Sequence, residues 1–414
     1  MNVFEPAEIL VPQNVDMEKW SVIACDQFTS QPEYWENVEK LVGEAPSALK
    51  LIFPEAKLGE ESAELVSDIR SAMESYVKEQ IFEEYKNSFI YVERTLLDGT
   101  IRKGIIGAIN LDEYDYSPHS QTAIRATEKT VVERIPPRKV IRENAMLELP
   151  HILLFSDDEK DIMCGYLESV KEELPLLYAF DLMEEGGHIE GRLVCGEVVS
   201  VFMEKLEAYL DFIQYKYANS KKTPMMFAVA DGNHSLATAK ACFEDIRLKN
   251  PGKNLTNHPA RYALVEIVNI HDEAQKFEPI HRIVKNVDVN ALLGALILDS
   301  CADEGYPIKW YSGEKQGTIY LDPKKGQLSI GILQNFLDEY LSVHLGLIDY
   351  IHGEDVLKNL AKEPNSIGFA LPVIEKDQFF KGIIEDGVLP RKTFSTGHAQ
   401  EKRYYLEARK IVED

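Results

Sequence analysis

Residues 229–240 read VADGNHSLATAK. An apolar run ends in Asp231 and Gly232. Two polar side chains follow at Asn233 and His234, and a small-residue stretch of helical character opens at Ser235. A helix start leaves several backbone N–H groups without partners and carries partial positive charge, so an anion fits there. Gly232 lets the backbone approach a ligand closely. Ser235 caps the helix or donates to a phosphate oxygen, and Ala237, Thr238 and Ala239 keep the first turns slim. Asp231 then holds Mg²⁺ or a ribose hydroxyl, and His234 contacts phosphate. A plain capped turn, with Asp231 and Ser235 satisfying backbone donors, accounts for the same residues.

Two basic stretches could supply charge to such a site. From Arg125 to Arg142 the chain carries Arg125, Lys129, Arg134, Arg138, Lys139 and Arg142 against Glu128 and Glu133, which is 6 minus 2, or +4, in a chain of net charge -24. The Pro136-Pro137 pair is expected to break a helix between two basic halves. This segment is either a phosphate-facing arm or a solvated helical face with i,i+4 ion pairs. The second stretch gathers Arg391, Lys392, Thr393, Ser395, Thr396, Gly397, His398, Lys402 and Arg403. Hydroxyls, backbone donors and cations together make an oxyanion or phosphate cradle, or else a basic loop before a surface helix. His281 and Arg282, in FEPIHRIV, join the candidate ligand set, although a buried His–Arg pair is more often a structural unit. His352, Glu354 and Asp355 are better explained by a helix cap. Asp26, at the end of a short strand, is the candidate general base. Cys25 beside it is a poor nucleophile, because a neighbouring carboxylate disfavours the thiolate. No P-loop, dinucleotide-binding glycine motif, H-E-x-x-H or G-x-S-x-G occurs.

These residues need elements to hold them. The period of apolar residues alternates between strand and helix along the chain. The spacing predicts a helix within Glu60 to Tyr85, with Leu65, Ile69, Met73, Tyr76 and Val77 on one face, and a hairpin around Asp98-Gly99. Strands are expected at ILLFSDD, LPLLYAFDL, GHIEGRLVCG, PMMFAVADG, ARYALVEIVNI, GTIYLD, LSIGIL and IGFALPVI. The fold class is therefore α/β to α+β, with mixed sheets and flanking helices. A length of 414 residues suits two lobes better than one. The division is placed at 1–285 for an N-terminal α/β lobe and 286–414 for a C-terminal α+β lobe whose tail loop returns to the site.

The net charge of -24 repels nucleic acid and anionic membrane, so the expected partner is a small anionic ligand. Five scattered cysteines without C-x-x-C spacing point to reduced thiols and the cytoplasm. No signal peptide is visible, and the longest aliphatic run, Ala291 to Leu298, is too short to span a bilayer. A homo-oligomer is compatible with all of this.

The motifs together resemble a family known as domain of unknown function 1015, whose members carry a SpoOJ/ParA/ParB/RepB-family label. Its Asp-Gly-His-His-Arg motif with a following Thr-Ala pair looks like Asp231 to Ser235 with Thr238-Ala239. GIIGAINLDEY, RATEKTVVERIPPRKVIREN, PIHRIV and GVLPRKTF match in order. The Asp-Gly corner is further similar to a ParB/sulfiredoxin-like element, in which a strand–turn–helix contacts nucleotide phosphates. Asn233 and Ser235 depart from the motif, where a histidine and an arginine stand. Arg125, Arg138 or Lys392 would then supply the missing charge. The resemblance implies an enzyme that binds ATP, ADP or CTP, or another phosphometabolite, with Mg²⁺, and performs kinase-like phosphoryl transfer or hydrolysis. The alternative is a non-catalytic ligand-binding regulator.

Overall fold

The computed structural model describes residues 3–57, 63–143, 145–301, 304–390 and 392–413. The chain forms two compact units, one of Met1–Gln275 with His398–Asp414, the other of Lys276–Gly397. The division lies ten residues before the expected position of 285. The reason is the strand Phe277–Lys285, which pairs with Leu347–His352, Ile367–Ala370 and Phe394–Thr396 and so belongs to the second unit. The tail from His398 onward belongs to the first unit, where Tyr404–Tyr405 pairs with Val22–Ile23 and Arg409–Lys410 with Leu147–Glu148.

The first unit is built on a mixed eleven-stranded sheet. Its long antiparallel half runs through Leu176–Leu182, Gly187–Val194, Phe82–Thr95, Ile101–Asn110 and Tyr262–Asn269. The turn between Phe82–Thr95 and Ile101–Asn110 follows the Asp-Gly signal: Gly99 takes a φ of 83°, and the Thr100 amide donates to Asp98. The sheet then turns mixed. Leu153–Ser156 lies parallel to Tyr262–Asn269 and antiparallel to Phe227–Asp231, which is parallel to Ile124–Ala126. Phe227–Asp231 is thus paired on both edges, and Phe227, Ala228 and Val229 are fully buried. An apolar run without alternation suits such an interior strand. The helix Ala63–Lys78 buries Ile69, Met73 and Tyr76 at the expected spacing but stops short of Tyr85: Gln80 takes a φ of 57°, and Phe82–Tyr85 opens the strand Phe82–Thr95; Glu60 lies outside the described residues.

The second unit has an antiparallel sheet in the order Lys315–Leu321, Tyr306–Ser312, Ile367–Ala370, Phe277–Lys285, Leu347–His352. LSIGIL, expected as a strand, opens the helix Ser329–Val343 instead. The apolar positions continue past it at helical spacing, and Ile330, Leu333, Leu337 and Tyr340 are buried together. Pro136-Pro137 does not interrupt a helix. The pair stands in the first turn of Ile135–Arg142, where a missing N–H costs nothing. No helix among the described residues is long and apolar enough to cross a membrane.

Candidate functional site at the Asp231 corner

Strand Phe227–Asp231 slips register against Leu153 and Leu154 just before it ends. Such a bulge re-aims the side chain that follows. Gly232 then takes φ 81° and ψ 24°, and helix Asn233–Lys249 begins at once. A Cβ on Gly232 would lie 3.1 Å from the Cα of Ile152 and 3.0 Å from its Cγ1, so both the left-handed backbone and the close neighbour require glycine. No side chain caps the helix. The Gly232 amide donates to the Asp231 carboxylate at 2.9 Å, and the Leu236 amide to the Gly232 carbonyl at 3.0 Å. The other Asp231 oxygen lies 3.5 Å from the ammonium of Lys402.

His234 accepts a hydrogen bond at Nε2 from the Val131 amide, 3.3 Å away. The ring proton therefore sits on Nδ1. Burial first, then the charges of Arg138 and Arg134, push the pKa of His234 down to about 4, so the ring is neutral at neutral pH. Thr238 ties its hydroxyl back to the His234 carbonyl at 2.7 Å. Two polar atoms on these segments are buried without a hydrogen-bond partner, Oδ1 of Asn233 and Oγ1 of Thr130.

Ser235 behaves differently from Thr238. Its hydroxyl lies 3.0 Å from Nε2 of His151, and Nδ1 of His151 lies 2.9 Å from the Tyr405 hydroxyl. Neither His151 nor Tyr405 was legible as a site residue. His151 follows Pro150 ahead of a buried strand, and Tyr405 comes from the tail, 254 positions away. Ser235, His151 and Tyr405 share the wall of a cavity of ≈150 Å³ with Arg138, Phe53 and Met73.

Several expected ligand residues have other work. Arg403 is buried, with its guanidinium bonded to the Pro150 carbonyl and paired with Glu266 and Glu407. Arg125 is buried and donates to the carbonyls of Thr122 and Thr223; its Nη1 finds no partner. Arg138 pairs with Glu55 and donates to the Arg134 carbonyl. These guanidiniums are held by protein acceptors, and among the described residues the ammonium paired with Asp231 is that of Lys402. His398 opens a short turn as its cap, with its amide bonded to Glu401. Asp26 accepts from the Gln27 side chain at 3.1 Å. Burial and the Asp26 charge push the Cys25 thiol up to about 12, which makes it inert.

The remaining candidates belong to the second unit. Arg282 is fully buried, bonded to Gln334 and to the carbonyls of Ile280 and Lys392, with its guanidinium 4.7 Å from the Tyr350 ring centre. His281 accepts from the Leu371 amide. Thr393 donates to Pro390, and Ser395 to Gly397. These are local turn and core contacts. Arg391 lies outside the described residues.

A resident metal at Asp231 has little to hold it, since the carboxylate already faces one amide and one ammonium. Among the described residues, Asp157, Glu159 and His271 bring ligand atoms within 4.8 Å of one another. Lys216 bonds to both carboxylates there and offsets part of their charge.

No curated protein matches the chain. Similar solved structures include a conserved hypothetical protein from Pyrococcus furiosus, at 12% identity over 74% of this chain and 94% of that one, with a TM-score of 0.35. A mutant free serine kinase in complex with ADP is similar at 12% identity over 73% of this chain and 91% of that one, with a TM-score of 0.38. SbnI from Staphylococcus aureus is similar at 11% identity over 70% and 82%, with a TM-score of 0.35. The expected ParB/sulfiredoxin-like element, and the SpoOJ/ParA/ParB/RepB label with it, is corrected: the family model that matches the chain carries no such label, and the architecture is a mixed α/β fold. One short Asp-Gly corner was too little sequence to carry that superfamily assignment. A family model described as a protein of unknown function, DUF1015, matches residues 6–328, most of the sequence, and the chain belongs to that family.

Proposed function

We propose that the Asp231 corner binds a small phosphorylated ligand, a nucleotide or other phosphometabolite, and that the chain is an enzyme of phosphoryl transfer or hydrolysis. One observation carries this reading: the start of the helix Asn233–Lys249 has no side-chain cap, and Lys402 stands beside it at Asp231. Amides of a first turn and an adjacent ammonium suit a phosphate group. Neutral His234 adds a donor at Nδ1, which favours a phosphate oxygen without a full charge. Asp231 is the acceptor for a ligand hydroxyl and orients it. Catalysis would then rest on positioning and electrostatics, which is what phosphoryl transfer demands. A Mg²⁺ would arrive with the nucleotide and supply positive charge to its phosphates.

Isothermal titration with ATP, ADP and CTP, each with and without Mg²⁺, tests the reading. Heat from at least one is expected, and a folded sample that gives none with any of them refutes it. Asp231→Asn separates an enzyme from a regulator: turnover falls by orders of magnitude in an enzyme, whereas a regulator keeps much of its affinity and has no turnover to lose.

A further inference from the structure

Ser235, His151 and Tyr405 form a hydrogen-bonded series on a cavity wall, and anion binding at the corner does not require it. We propose that Ser235 is the nucleophile of a carboxylic-ester hydrolase centre, with His151 as its general base and Tyr405 positioning His151, acting on esters with a short apolar acyl group.

One tautomer of His151 suits this role. The Tyr405 oxygen accepts the Cys25 amide at 3.2 Å. The His151 ring lies between two hydroxyls, and in the tautomer that carries its proton on Nδ1 it donates to the phenol oxygen at 2.9 Å. Nε2 is then bare, and it faces the Ser235 hydroxyl at 3.0 Å. Nucleophile, base and orienting group within hydrogen-bond reach are the requirement for an activated hydroxyl. His151 is buried, so its ring is fixed by these two partners rather than by solvent. The ordinary fate of a hydroxyl in this helix is shown one turn later by Thr238, which bonds to the carbonyl four residues back. Ser235 instead leaves the helix backbone alone and reaches across to His151.

The surroundings select the substrate. The cavity beside Ser235 is lined by Leu51, Phe53, Met73, Ile141 and Leu264, among others. At ≈150 Å³ it matches a void that takes a benzene-sized group, so an acyl chain of about four to six carbons fits. Ser235 stands in the first turn of its helix, where the positive end of the dipole stabilises negative charge developing on the acyl oxygen.

In the reaction, Oγ of Ser235 attacks the ester carbonyl carbon as its proton passes to Nε2 of His151. The carbonyl–alkoxy bond breaks, and the departing alkoxide takes that proton from His151, leaving as an alcohol. Water then attacks the acyl-serine, again giving a proton to His151. The serine–acyl bond breaks, Ser235 regains the proton, and the carboxylic acid leaves.

The test uses the full chain and a fluorophosphonate probe, followed by intact-mass and peptide-level mass spectrometry, with hydrolysis of p-nitrophenyl butyrate in parallel. One adduct per chain is expected, on the peptide that contains Ser235. It disappears in Ser235→Ala, whose folding is checked by circular dichroism. His151→Gln slows labelling by at least about 100-fold. Tyr405→Phe keeps the ring and lowers kcat for the butyrate ester by about 10-fold with KM unchanged, a split that general loosening of the cavity would not give. Wild-type chain that takes no adduct overturns the proposal. So does an adduct that persists in Ser235→Ala, or a labelling rate indifferent to His151→Gln. Nucleotide titration plays no part here, so failure leaves the reading of the Asp231 corner standing.

Discussion

His234 offers a quantitative test of the corner. Its imidazole is held neutral by burial and by Arg138 and Arg134, with a pKa of about 4 against roughly 6.5 for a free histidine. A histidine whose pKa is depressed in the folded state costs nothing above the unfolded pKa. It removes stability as pH falls from there toward the folded value, because the unfolded chain takes up the proton first. Weighing the two protonation equilibria gives a cost near zero at pH 7 and about 2 kcal/mol at pH 5. The perturbation is His234→Gln, in which the amide oxygen can replace Nε2 as acceptor for the Val131 amide but cannot titrate. Urea unfolding of wild type and variant at pH 7 and pH 5 measures the difference. A Trp310→Phe background makes the fluorescence report Trp20 and Trp35 of the first unit. Wild type should lose about 2 kcal/mol more than the variant between the two pH values. Carboxylates that titrate in the same window are common to both chains and cancel. Equal losses would show that His234 is not held neutral, and the hydrogen bond from Val131 would have to be assigned otherwise.

Other changes give further checks. Gly232→Ala forces a side chain into a left-handed backbone against the Ile152 Cα, and should lower the thermal unfolding temperature in line with a loss of about 2 kcal/mol. Arg403→Met strands the buried carboxylates of Glu266 and Glu407 and should cost about 3–5 kcal/mol by urea unfolding, partly recovered by adding Glu266→Gln. Because burial raises the Glu266 pKa but Arg403 and Arg102 more than offset this, its carboxyl stays below the usual range. The stabilisation from that pair is present above the unfolded value and fades as pH falls through the folded one. Lys402→Met should weaken binding of a phosphorylated ligand at least about 10-fold by titration calorimetry, and should weaken it less in high salt, where screening already mutes the wild-type ammonium.

Local signals carried far in this chain where period and turn chemistry agree. The Asp98-Gly99 hairpin, the amphipathic face of Ala63–Lys78 and the strand–glycine–helix corner at Gly232 all follow from residues close together in sequence. LSIGIL was unreadable alone, because six apolar or small residues fit either period and the decision lies in the residues after them. Charge was a poorer guide. Arg125, Arg282 and Arg403 look alike in sequence to Lys402, yet three are buried among carbonyls and carboxylates while Lys402 faces Asp231. A guanidinium can satisfy five donors inside protein, and nothing in its neighbours along the chain says whether it will. His151 and Tyr405 lacked any local signal. Their relation to Ser235 exists only once distant strands have been brought together, so spacing could not have suggested it.

The first unit is discontinuous along the chain, and that sets an order on synthesis. The partner of Val22–Ile23 is Tyr404–Tyr405, and the phenol that fixes His151 is in the same pair. A ribosome must therefore translate the whole of Lys276–Gly397 before either contact can form. During that interval Val22–Ile23 lacks its partner strand and apolar side chains stay uncovered, the condition in which chains stick to one another or to chaperones. Early arrest of translation would release a species lacking its closing strand, whereas a permuted gene that joins the tail segment ahead of residue 3 would supply that strand first.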